Sequence, residues 1–293
     1  MRRSTRIPVL MTVLAALLWA TSFSVIKVGL RYIEPYSFLF FRFLIATLLL
    51  AVVALAQGKG RMLIRYMGNK YAFILGLALS ASFAFQFRAQ TEIPASIAAI
   101  IINSSTLLVA PLSALILHER IGTRKVVALV MGIAGVYLIT TRSMGAGAGG
   151  GTLLGNILIS ASAVSTALYI VVTKRALSQK KLEWVPLLTA VFAWSLPVYL
   201  VMAAPSLRAG ISAGREAWLA TVYLAVFCSA LAFFLWAGAI RHIGALTSAI
   251  VLLSELVFGV LIAHAILGEA LPATTIAGCS LIGLGIVIVG LKE

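Results

Sequence analysis

The chain has 293 residues, of which 62% are hydrophobic and 11% charged, and it contains no aspartate. Soluble domains carry roughly 25% charged residues, so this composition excludes a water-soluble protein and implies one embedded in a membrane. The formal net charge of +15 does not mark a nucleic-acid binder. The basic residues gather at the ends of apolar segments, where they act as topology signals and partners of anionic lipid headgroups.

Ten apolar segments follow in order, near 8–27, 36–56, 71–90, 93–117, 124–141, 152–173, 185–204, 217–238, 243–266 and 273–291. About 20 residues rising 1.5 Å each cross a hydrocarbon core of about 30 Å. The expected class is therefore an all-α integral membrane protein of ten transmembrane helices. The first segment follows Arg2, Arg3 and Arg6 in the manner of a signal peptide, but its apolar run continues to Ile26. That is too long for a typical signal core, and the segment is read as a retained helix. Very short turns join the third segment to the fourth and the eighth to the ninth. Cys228 and Cys279 fall inside segments, which leaves no disulfide between loops.

With the N-terminus placed in the cytoplasm, that side collects Arg2, Arg3, Arg6, Lys59, Arg61, Arg65, Lys70, Arg120, Arg124, Lys125, Lys174, Arg175, Lys180, Lys181, Arg241 and Lys292. The other side holds Lys27, Arg31, Arg88, Arg142, Arg208 and Arg215, with Arg42 inside a segment. This bias puts both termini in the cytoplasm and predicts a multi-pass protein of the inner, or plasma, membrane.

The second half of the chain repeats the first. Moving residues 93–139 forward by 150 places Ile93, Ala95, Ala99, Ile100, Ser104, Leu117, Glu119 and Gly135 on identical residues, Ile243, Ala245, Ala249, Ile250, Ser254, Leu267, Glu269 and Gly285. Five segments per repeat is an odd number, so the second repeat enters from the opposite face and the halves are expected to be inverted. The expected organisation is a first repeat over 1–143, a linker over 144–151 and a second repeat over 152–293. Gly145–Gly151 reads as a flexible linker. A phosphate-cradling loop is excluded there, because no strand precedes it and no lysine follows.

Several of these residues also form a recognisable pattern. Trp19-Ala20-Thr21-Ser22-Phe23 with Lys27, Pro35 with Arg42, Pro94-Ala95-Ser96 before an Ala/Ile run, and Leu117-His118-Glu119 with Leu267-Gly268-Glu269 resemble the motifs of the EamA-type drug/metabolite transporters. The match extends over nearly the whole chain and both halves. The resemblance implies a ten-helix fold that switches between inward- and outward-facing states. It also implies export of small metabolites such as amino acids, through a cavity lined by helices 1, 3, 4, 6, 8 and 9. Two departures stand out. The family's frequent prolines in helices 4 and 9 are replaced by Thr106 and Leu256, and His118 replaces the glycine of the first Leu-Gly-Glu. Pro111 lies five residues after Thr106 and could bend the fourth helix at another level.

Among polar residues Glu255 stands out, flanked by Val251, Leu252, Leu253, Leu256 and Val257. A carboxylate at mid-bilayer costs about 2.5–3.5 kcal/mol on insertion scales, so it should face a cavity or a partner. It reads either as a proton-coupling or substrate-amine site, or as a structural carboxylate bonded to another helix. Ser254 beside it, with Asn103, Ser104 and Ser105 at the equivalent level of the fourth segment, suggests a symmetric polar belt, although small hydroxyls also serve close helix packing. Arg42 is expected to snorkel to the outer interface, the alternative being a cavity cation that meets Glu255 or a substrate carboxylate. Arg88 and Glu92 read as a surface ion pair, and Glu119 and Glu269 as groups closing helix ends.

Trp19, Phe23, Phe83, Phe87, Tyr169, Trp194, Tyr223 and Trp236 are aromatics on the expected cavity helices. They suit a partly apolar or cationic ligand, the plainer alternative being interfacial anchoring. Gln86, which the 150-residue offset pairs with Trp236, adds an amide. The expected substrate-binding set is Trp19, Ser22, Phe23, Phe83, Gln86, Asn103, Ser104, Tyr169, Trp236, Ser254 and Glu255. Ala128/Gly132 and Cys279/Gly283 are small-residue pairs expected to bring the fifth and tenth helices together as scaffold. Those two helices are also where two copies could form a homodimer.

The three histidines sit at separate segment ends without ligand spacing, and no H-E-x-x-H, G-x-S-x-G or Walker pattern occurs. No metal, cofactor or ATP is expected, and an intramembrane enzyme is the weakest reading. The expected function is a secondary transporter of a small organic solute, with proton coupling left open. Movement of a lipid or a lipid-linked group is the alternative.

Overall fold

The computed structural model describes residues 6–145, 151–267 and 271–290. Most of the glycine-rich stretch, Gly268 and Glu269 of the second Leu-Gly-Glu, and Arg2, Arg3 and Lys292 lie outside the described residues. The described residues form helices joined by turns and short loops. Its helices are α1 (Arg6–Gly29), α2 (Pro35–Ala56), α3 (Gly60–Met67), α4 (Lys70–Glu92), α5 (Ala95–Asn103), α6 (Ser105–Leu117), α7 (Thr123–Gly145) and α8 (Leu153–Lys174). There follow α9 (Trp184–Ala203), α10 (Leu207–Ile211), α11 (Arg215–Tyr223), α12 (Ala232–Ile240), α13 (Ala245–Leu252), α14 (Ser254–Leu267) and α15 (Ala273–Gly290). π-helical turns extend α8 over Arg175–Gln179 and join α11 to α12 over Leu224–Leu231.

Local chemistry sets several of the helix starts. Pro35 opens α2, where its missing N–H is no loss, and the Glu34 carboxylate accepts from the Tyr36 and Ser37 amides at 2.9 and 3.1 Å. Asn69 caps α4 through the Tyr71 amide at 2.8 Å, and Thr152 caps α8 through Gly155 at 3.0 Å. The short α3 is absent from the sequence-based expectation. It is held by α9, with the Tyr66 hydroxyl accepting from the Glu183 amide at 3.0 Å and the Met67 carbonyl from the Trp194 indole at 2.8 Å.

Among the described residues, nine helical segments are long and apolar enough to cross a membrane. Their outer surface is apolar. Leu48, Val52 and Leu55, which share one face of α2, are all exposed. A continuous apolar surface of this kind suits hydrocarbon and would drive aggregation in water. α7 is a further helix of 23 residues, and it lies along α15.

The α7–α15 contact differs from the expected one. A Cβ on Gly135 would lie 2.6 Å from the Gly278 carbonyl oxygen, and one on Gly278 would lie 2.6 Å from that of Gly135. Gly285 approaches the Ala128 carbonyl in the same way, at 3.0 Å. The seam is thus Ala128 and Gly135 against Gly285 and Gly278. Gly132 instead faces Leu253, and Gly283 has nothing within 4 Å of its Cβ position. A four-residue spacing of small residues occurs often in apolar helices and does not reveal which face meets the partner; here a seven-residue spacing does the packing.

The helices that carry Asn103 and Glu255 are both interrupted. α5 gives way to α6 at Ser104, and α13 to α14 at Leu253. The chain tightens by bonding three residues back at each break, with Leu107 N to Ser104 O at 2.9 Å and Leu256 N to Leu253 O at 3.1 Å. No proline lies at either break, while Pro111 sits inside the continuous α6.

Candidate functional site

A cavity of about 100 Å³ lies at the centre of the molecule, walled by α1, α2, α4, the α5–α6 break, α8, α12 and the α13–α14 break. A single water needs about 10–15 Å³ measured this way, so the space admits a small organic molecule.

One wall is aromatic. Trp19 meets Phe233 edge-on with ring centroids 5.0 Å apart, and Tyr169 stacks on Trp236 at 5.7 Å. The indole N–H groups are already engaged, that of Trp19 with the Cys228 carbonyl at 2.8 Å and that of Trp236 with the Ser248 hydroxyl at 3.0 Å. What the two tryptophans offer the cavity is therefore ring surface. Phe23, Phe83 and Phe233 extend that surface.

The opposite chemistry comes from Glu255 and Asn103. The break at Leu253 puts Glu255 in the first turn of α14. Glu255 is 8% exposed, and the Asn103 side chain lies beside its carboxyl. The Asn103 amide is oriented by its bond to the Ala99 carbonyl at 2.9 Å. The two broken helices thus bring one polar residue each to the same side of the cavity.

Arg42 does not snorkel. It is 1% exposed and lines the cavity. Its Nε donates to the Ser229 hydroxyl at 2.7 Å, and its guanidinium carbon lies 4.8 Å from the Phe83 ring centroid, 5.5 Å from Phe43 and 5.6 Å from Phe87. Desolvated cation–π contacts are worth roughly 2 kcal/mol, which helps offset the loss of water around the charge. Ser229 and Cys228 both belong to the π-helical stretch. That irregular turn therefore supplies the acceptors for both Arg42 and Trp19, in keeping with the frequent placement of π turns at functional sites.

Of the expected binding residues, Trp19, Ser22, Phe23, Phe83, Gln86, Asn103, Tyr169, Trp236 and Glu255 line this one cavity. Ser104 and Ser254 do not. Their hydroxyls bond backward to the Ile101 and Val251 carbonyls, at 2.6 and 2.7 Å, at the two helix breaks. Trp194 packs on Phe73 and Phe87 on Phe38, and the Tyr223 hydroxyl is 2.8 Å from that of Thr21; none of the three lines the cavity. Phe233, Ser82 and Thr166 line it without having stood out in the sequence. Ser82 and Thr166 are hydrogen-bonded to each other at 2.8 Å, and Ser162 donates to the Ser82 carbonyl at 2.7 Å, which joins α4 to α8 at the cavity edge. No group of three metal-ligating side chains occurs among the described residues.

The helix ends around the cavity are tied by charged side chains. Lys27 at the end of α1 donates to the Gln90 and Ile93 carbonyls at 2.7 and 3.0 Å. Lys174 at the end of α8 donates to the Ile240 and Arg241 carbonyls at 3.0 and 3.3 Å. Glu119 accepts from Lys125 at 2.6 Å and from the Ala245 amide at 3.2 Å, so a residue of the first half caps the start of α13. Arg88 and Glu92 form an ion pair at 2.9 Å.

The sequence profile of the EamA-like transporter family matches residues 6–141 and, separately, 153–291. An uncharacterized transporter of Archaeoglobus fulgidus is 32% identical over 242 residues, which is 80% of each chain. A probable amino-acid metabolite efflux pump of Salmonella typhimurium is 24% identical over 95% of this chain and 93% of that one. A probable terminal-alkyne amino-acid exporter of Streptantibioticus cattleyicolor is 25% identical over 94% and 91%. One crystal structure superposes with a TM-score of 0.79 at 21% identity, covering 97% of this chain and 96% of the other, and shares the fold.

Proposed function

The chain belongs to the EamA-like transporter family, and on that premise we propose that it exports or exchanges a small organic metabolite, such as an amino acid, by alternating access. The observation that carries this reading is the central cavity, which takes its walls from both halves of the chain and sets ring surfaces beside buried polar groups. The relatives named for amino-acid export support the solute class.

Alternating access needs two packings of similar energy, which inverted repeats supply. The reading counts α7 as the tenth crossing helix and takes 1–143 and 152–293 as inverted repeats, with both termini in the cytoplasm. The crossed seam supports it, since the 150-residue offset turns Ala128 into Gly278 and Gly135 into Gly285, and Ala128 meets Gly285 as Gly135 meets Gly278. The lysine ties support it too. Lys27 and Lys174, near the ends of the first and sixth segments, bind carbonyls at the ends of the third and eighth. Such ties can break on one side and persist on the other as the cavity changes its opening.

Glu255 is the coupling candidate. Its hydration changes as the cavity opens and closes, so it can take up a proton or a substrate amine in one state and give it up in the other.

The test is transport by the purified protein in liposomes, with labelled amino acids and organic cations offered with and without a pH gradient. Saturable movement of a solute, with inhibition by the unlabelled compound, is expected. Vesicles that move lipid between leaflets and no solute would overturn this reading.

A further inference from the structure

We propose that Arg42 is the binding group for the substrate's carboxylate, so that the transported amino acid must carry that carboxylate free. The inference rests on the cavity being the solute site, and it assigns to one side chain the selection between a free acid and its neutral derivatives.

Four observations converge on it. Arg42 lines the cavity while being almost wholly removed from solvent. Among the described residues no carboxylate pairs with it, and its Nη1 has no hydrogen-bond partner. The orientation of the guanidinium is fixed, by the Ser229 hydroxyl on Nε and by the rings of Phe83, Phe43 and Phe87 around it. Finally, Arg42 stands seven residues after Pro35, about 10 Å along the axis from the start of α2.

A buried cation whose donor is left without an acceptor is an unfinished interaction. Protein groups already hold the Nε side, so the donor left over is Nη1. A planar guanidinium held in a fixed orientation matches the two oxygens of a carboxylate, and charge-assisted bonds to it are stronger than those to a neutral amide oxygen. The ring faces do not compete, because they attract cations and offer an anion nothing. Glu255 is not ion-paired with Arg42 and sits at the α14 end of the same cavity. One buried positive and one buried acidic group in a single small cavity are the complement of a zwitterion, with the aromatic wall left for its side chain.

The experiment offers proteoliposomes an equimolar pool of the twenty common L-amino acids, and in parallel a pool of the corresponding amides, and measures uptake by mass spectrometry. The parental protein should accumulate at least one amino acid, with its amide at least tenfold slower. Arg42→Lys keeps the charge and loses the planar fork, and it should weaken transport of the same amino acid about tenfold or more. Arg42→Gln should abolish it, with both variants monodisperse on gel filtration. Because either variant could fold poorly, the comparison of acid with amide on the parental protein stands by itself. Equal uptake of acids and amides would overturn the role of Arg42 and leave the transport reading standing. So would uptake of the amides with no amino acid moved. Failure of every solute tested would sink the transport reading itself.

Discussion

Gly135 and Gly278 face each other so closely that a Cβ on either would stand 2.6 Å from the other's carbonyl oxygen. The atom in the way is backbone, which cannot rotate aside. Gly135→Ala should therefore push α7 from α15 and destabilise the protein by roughly 1–3 kcal/mol, the usual range for overpacking a close contact. Gly283→Ala, at an open position of α15, should leave the melting temperature of the detergent-solubilised protein unchanged. Equal melting temperatures for the two variants would show that this seam does not hold the halves together.

The orientation proposed from the distribution of lysine and arginine, with both termini in the cytoplasm, has a direct test. A cysteine replacing Arg208, exposed in α10, should react with a membrane-impermeant maleimide added to intact cells. A cysteine replacing Lys180, exposed after the π turn that ends α8, should react only after the cells are opened. The reverse pattern would invert the topology.

The account of Glu255 predicts a separation of folding from transport. Glu255→Gln preserves shape and the possibility of bonding Asn103, so yield and gel-filtration profile should match the parent. Transport rate measured from pH 5 to pH 8 should lose the dependence on pH that the parent shows, or the preference for substrates bearing an amine. A variant with the parental rate and pH profile would make Glu255 a structural carboxylate only.

Nine spans among the described residues, and the family, were legible in the sequence because apolar length and paired motifs are local signals. Glu255 was legible for a similar reason, since a carboxylate among Val251, Leu252, Leu253, Leu256 and Val257 has few places to go. The facing of side chains was not. In helices apolar on every side no polar stripe marks the inner face, so nothing distinguished Phe233, which lines the cavity, from Phe87, which does not. Arg42 was misjudged because distance from a helix end suggests snorkelling, whereas three aromatic rings and a hydroxyl from a π turn in another helix keep it inside. The breaks at Ser104 and Leu253 carry no proline, so their usual signal was missing. They also explain why Ser104 and Ser254 turn to their own backbones while their neighbours Asn103 and Glu255 reach the cavity.

Alternating access of the cavity is the central claim, and a single cysteine tests it most directly. Ser22 is small, almost fully buried and lines the cavity, so Ser22→Cys can be placed in a protein whose Cys228 and Cys279 have been replaced by alanine. Right-side-out and inside-out vesicles are then exposed to an impermeant thiol reagent, with and without the amino-acid pool. The account predicts slow labelling from both faces, with the amino acids shifting the ratio of the two rates. Labelling confined to one face, at a rate that the amino acids do not change, would contradict it.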